Sequence, residues 1–90
     1  MSKQERETIL EFPCEFPIKI MGKNHQELEI CVMTIFNKHV PDLVEGAIKS
    51  RESRNGNYLS ITVTINAQSQ SQLDGIYQEL SAHELVLMAL

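Results

Sequence analysis

An α+β fold, with two helices on one side of a four-stranded antiparallel sheet, is the architecture this 90-residue sequence predicts. Three observations predict it. Leu59, Ile61, Val63, Ile65 and Ala67 alternate with Ser60, Thr62, Thr64 and Asn66, the period-two pattern of a strand with one buried and one wet face. Two other segments carry apolar residues at three- and four-residue steps, the pattern of helices with a single buried stripe. Between them Asn55-Gly56, which can take positive φ at both central turn positions, marks a hairpin back to a preceding strand.

Residues 1–8 are mostly charged and polar and read as a flexible N-terminal arm; residues 9–90 read as one domain. Ile9, Leu10 and Phe12 supply apolar cover. Phe16, Ile18 and Ile20 then alternate with Pro17, Lys19 and Met21 to make a first strand, with Pro17 expected at its start because proline cannot donate to a ladder. Gly22 and Lys23 turn the chain. Asn24 and Glu27 have capping-box spacing, which places Asn24 at a helix N-cap. The helix runs to about His39 with Leu28, Cys31, Val32, Ile35 and Phe36 on its apolar stripe, and Pro41 prevents continuation.

From Asp42 to Arg54 the pattern weakens, although Val44, Ala47 and Ile48 allow a second strand. Lys49, Arg51 and Arg54 collect here and read as a solvated hairpin end in preference to an anion site. After the third strand, Ser69 and Gln72 repeat the capping-box spacing, and Leu73, Ile76, Tyr77 and Leu80 form a second helical stripe. Gly75 lies off that stripe and costs about 1 kcal/mol relative to alanine in a helix. The run from Leu85 to Leu90 suits a last strand.

Two right-handed strand-helix-strand crossovers joined by a hairpin give a ferredoxin-like βαββαβ sandwich with sheet order 4-1-3-2. The face opposite the helices is left open. Its expected occupants are Lys19, Met21, Ser60, Thr62, Thr64 and Asn66, a small, polar, largely uncharged surface.

Several blocks in this order resemble the YbeD family of small bacterial proteins: Leu10 to Pro13, Lys19-x-Met21-Gly22, Gly56-Asn57-Tyr58-x-Ser60, Thr64 to Ala67, Ile76-Tyr77-x-Glu79-Leu80 and Met88-x-Leu90. The sequence departs from that pattern at Pro17 and in the longer segment from Asp42 to Arg54. The resemblance implies a domain similar to the amino-acid-binding ACT regulatory domains. It also implies a family without an established activity, tied to lipoate metabolism by gene neighbourhood alone.

If an ACT-like site is present, Gly22, Lys23, Asn24 and His25 are its candidates: a close backbone approach followed by the free amides of a helix N-terminus, suited to a carboxylate. Other chemistry finds little support. His25, His39 and His83 lack the spacing of metal ligands, so no metal and no cofactor is expected. Cys14 and Cys31 show no paired spacing and fit reduced thiols in a cytoplasmic protein. No run is long and apolar enough to span a bilayer.

Twelve acidic against eight basic residues, a net charge of −4, argue against bulk attraction to nucleic acid. The central strands also lack the aromatics on which RNA-recognition domains of this topology stack bases. An acylphosphatase-like enzyme would need an arginine in the loop after the first strand, where Lys23 stands. The sequence therefore predicts a non-catalytic regulatory or adaptor domain acting through a protein partner. A small-metabolite sensor is the alternative, and pairing of two copies along an edge strand the expected assembly.

Overall fold

A computed structural model describes residues 11–90, so the expected arm over residues 1–8, together with Ile9 and Leu10, lies outside the described residues. The elements follow in the order β1 (Cys14–Lys23), α1 (Gln26–His39), a 3-10 turn (Glu45–Ala47), β2 (Ile48–Glu52), β3 (Tyr58–Ala67), α2 (Gln70–Ala82) and β4 (Val86–Ala89). The sheet order is β2-β3-β1-β4, the expected 4-1-3-2 read from the other edge, and every pairing is antiparallel.

β1 and β3 form the spine, paired residue for residue from Cys14 with Ala67 to Lys23 with Tyr58. Alternation turns Ile18 and Ile20 of β1, and Leu59, Ile61, Val63 and Ile65 of β3, to one side. There they meet Leu28, Val32, Ile35 and Phe36 of α1 and Leu73, Ile76 and Leu80 of α2 in a single apolar core. No polar or charged residue is buried among the described residues. Each helix covers the sheet with the stripe read from its spacing, and Cys31 and Tyr77 sit half-buried at the stripe edges.

Four expectations need correction. β1 begins at Cys14, so Pro17 lies inside the strand. It is tolerated because Lys19 exchanges both backbone hydrogen bonds with Leu90 of the neighbouring segment, which assigns the odd-numbered residues of β1 to the β4 side. Two residues before Lys19, that side has no partner strand among the described residues, so the N–H that Pro17 lacks has no ladder to complete. The second strand starts at Ile48; of the other residues expected in it, Ala47 ends the 3-10 turn Glu45–Ala47 and Val44 precedes that turn.

The N-cap of α1 is His25, whose Nδ1 accepts from the Glu27 amide at 3.1 Å. Asn24 instead donates its side-chain amide to the Gly56 carbonyl at 2.9 Å and its backbone N–H to the Asn57 carbonyl at 3.0 Å, tying the β1–α1 turn to the β2–β3 hairpin. The hairpin turn is also wider than a two-residue Asn-Gly connection. Gly56 alone takes positive φ, at 75°, and its N–H donates to the Ser53 carbonyl, closing a turn over Ser53–Gly56.

Ser69 caps α2 as its spacing predicts, accepting from the Gln72 amide at 3.1 Å. The Gln72 side chain reaches past the cap residue, accepting from the Gln68 N–H at 2.7 Å and donating to the His39 carbonyl at 2.9 Å, which joins the start of α2 to the end of α1.

Candidate functional site

The open face takes its composition from the odd-numbered residues of β1 and β2 and the even-numbered residues of β3. Lys19, Ser60, Thr62, Thr64 and Asn66 all fall on it as the alternation requires. The surface is nevertheless not the small, uncharged one expected. Lys49 and Arg51, expected at a solvated hairpin end, are residues of β2 whose cross-strand partners are Thr62 and Ser60. At the opposite edge Met21 pairs with Met88.

Two rows of side chains therefore run across the sheet. One reads Met88, Met21, Ser60, Arg51 and the other Leu90, Lys19, Thr62, Lys49. Each has an apolar residue at the β4 end and a cation at the β2 end. Met88 is 49% exposed and Leu90 66%. A register shift between Met21 and Gly22 leaves Leu87 as the unpaired extra residue of β4, and it adds a further exposed apolar side chain beside this edge.

The β2 end of the first row opens into a groove of about 600 Å³ lined by Met21, Arg51, Ser53, Arg54, Tyr58 and Ser60, with Glu52 as its acid. Ion pairs among the described residues all involve Glu79, so neither Arg51 nor Arg54 takes part in one. Ser53 Oγ is occupied by the Tyr58 N–H at 3.1 Å, which holds the Tyr58 backbone at the groove wall. Two guanidiniums, a phenol and a thioether make a surface that can accept a planar anion attached to an apolar body.

Lys23, Asn24 and His25 come together around a separate depression of about 440 Å³, shared with Gly56, Asn57, Tyr58 and Leu85. Gly22 does not line it. A Cβ at Gly22 would lie 2.3 Å from the Leu85 carbonyl oxygen and 2.9 Å from a Leu28 methyl, so this glycine serves close packing of the β1–α1 turn against the segment entering β4. The Asn24 side chain is spent on Gly56, and the His25 ring occupies the Glu27 amide.

One cluster of titratable side chains lies between the helices. Glu79 Oε1 accepts from Lys38 Nζ at 2.9 Å and Oε2 lies 2.7 Å from His39 Nε2. Hydrogen bonds from Lys38 and then His39 hold the Glu79 carboxyl below the usual glutamate range. Burial pushes the Cys31 thiol up, the direction opposite to that of an activated nucleophile. Among the described residues no group of three or more His, Cys, Asp or Glu side chains is placed to hold a metal, and no helix is long and apolar enough to cross a membrane.

Fold and open face together define a small ferredoxin-like α+β domain with one sheet surface left uncovered. Residues 7–90 match the family model described as a protein of unknown function, DUF493. The chain is 48% identical to a UPF0250 protein of Nitrosomonas europaea over 93% of its length and 97% of the relative's. It is 44% identical to a UPF0250 protein of Neisseria gonorrhoeae over the whole of both chains, and 43% identical to one of Chromobacterium violaceum over 96% and 97%. The chain belongs to the DUF493 family, the YbeD-type family whose sequence blocks it carries.

Proposed function

We propose that this chain is a non-catalytic regulatory or adaptor domain that acts through a protein partner held on the open sheet face. One observation carries the reading: Met21 and Met88 stand side by side on neighbouring strands, both exposed, with no second layer over them. Adjacent exposed apolar side chains on an uncovered sheet, with Leu87 and Leu90 beside them, offer a patch that a partner can cover. Within this reading the partner belongs to lipoate metabolism, a tie carried by the family resemblance, and a second copy paired along an edge strand is one form the contact takes.

Affinity capture with the full chain from its native cell, compared with the Met21→Glu/Met88→Glu double variant, tests the reading. The partner should be lost with the variant while the circular dichroism spectrum is unchanged. Retention of every captured protein would overturn it. Light scattering of both forms reports whether the contact is between copies.

The depression at Lys23, Asn24 and His25 favours a second reading, a small-metabolite sensor with an ACT-like carboxylate site. It is the weaker one, since the Asn24 side chain and the Glu27 amide already have partners. A thermal shift with amino acids, lipoate or octanoate that Lys23→Glu abolishes would favour it. Gly22→Val is unsuitable for that test because Gly22 is a packing position.

A further inference from the structure

We infer that the open face recognises a partner segment with an acidic end and an apolar end, laid across the strands with its carboxylates over Arg51 and Arg54 and its apolar side chains over Met21 and Met88. The inference rests on the adaptor reading above and names the chemistry of the partner. Register is the first argument. Both cross-strand rows are cationic at β2 and apolar at β4, so the polarity of the face is built in twice and in the same direction. Three strand spacings separate Arg51 from Met88, about 14 Å, which four residues or so of extended chain cover.

Charge complementarity is the second argument. Lys19, Lys23, Lys49 and Arg51 lie on this face and Arg54 borders it, against Glu15 beside Asn66 and Glu52 in the groove, whereas the helices on the other side carry Glu27, Glu29, Asp74 and Glu79 against a single lysine, Lys38. The molecule is thus cationic where the sheet is open and anionic where it is covered, although its net charge is −4. An anion approaching the face is attracted, and one approaching the helices is repelled.

Nucleic acid fits this face less well than an acidic protein segment. Tyr58 is the one aromatic residue on it, giving no platform for successive bases, and the Met88, Met21 and Leu90 end offers nothing to a phosphodiester backbone. Apolar side chains beside carboxylates match both ends.

The test is an NMR titration of the full chain with a synthetic hexapeptide having two glutamates at one end, two serines in the middle and two leucines at the other. Amide shifts should concentrate at Met21, Arg51, Ser60 and Met88, and Arg51→Glu/Arg54→Glu should weaken binding about tenfold or more, the scale of losing a charge-assisted contact. Replacing the two glutamates by lysines or the two leucines by serines should each weaken it as well. Equal binding of the lysine peptide, no binding of the glutamate peptide, or tighter binding of octauridylate each overturns the inference. The two readings fail separately. If the hexapeptide does not bind but Met21→Glu/Met88→Glu still abolishes partner capture, the acidic-segment assignment falls and the adaptor reading stands; if capture survives that variant, both fall.

Discussion

Gly75 and His39 meet between the two helices, and the contact explains a glycine that costs α2 about 1 kcal/mol of helix propensity. A Cβ at Gly75 would lie 2.9 Å from His39 Cε1, and the ring cannot retreat without disturbing its 2.7 Å contact with Glu79. Gly75→Ala should therefore bring no net gain in the native background but stabilise by about 1 kcal/mol once His39→Ala has removed the ring. Urea unfolding of the four members of this cycle checks it, and an equal effect in both backgrounds would refute it. Gly22→Ala meets a backbone oxygen in place of a movable ring and should cost about 3 kcal/mol, the upper part of the overpacking range, read as a fall in the urea midpoint.

Glu79 sets a pH dependence at the same scale. Its carboxyl titrates lower in the folded chain than in the unfolded chain. The stabilisation is thus complete above the unfolded value and is lost as pH falls through the lower folded value. Below about pH 4.5, the ordinary value for this group, the native chain should lose stability with falling pH more steeply than Glu79→Gln. Parallel pH profiles of thermal midpoints for the two proteins would remove Glu79 from the account.

Among the elements, β3 and both helices were legible from sequence because their periodicities are unbroken and their buried faces complete. β2 was not: Ile48 is its one half-buried residue and the four that follow are exposed, so an edge strand left no alternation to read. The cap of α1 was misplaced by one residue because asparagine outranks histidine as a cap, and only the tertiary bond from Asn24 to Gly56 removes it from competition. Pro17 departs from its expected place at the strand start for a related reason. Its position inside β1 is harmless only because of where β4 pairs, so Pro17→Thr should change stability by no more than about 0.5 kcal/mol. Lys19→Pro, which removes the N–H that donates to the Leu90 carbonyl oxygen, should cost about 1 to 3 kcal/mol, read as a fall in the urea midpoint.

At the scale of the molecule, the sheet order was written in the succession of elements, whereas the candidate surface was not. Arg51, Ser60, Met21 and Met88 come from four strands, and only the registers of three pairings set them in one line. Composition misled in the same way. A net charge of −4 conceals a cationic face, because most of the acids described lie away from it.

The long pairing of β1 with β3 also governs how the chain must reach this structure. Ile18 and Val63 sit at the centre of the core, yet α1, β2 and the first half of β3 lie between them in sequence. Loop-closure entropy is therefore spent before the spine returns any burial energy, and local helix formation cannot substitute for it. The meeting of these two strands should therefore limit the rate of refolding. Conservative truncations at Ile18 or Val63 should slow folding, while truncations at Ile48 or Ala89, on the two edges, should chiefly speed unfolding.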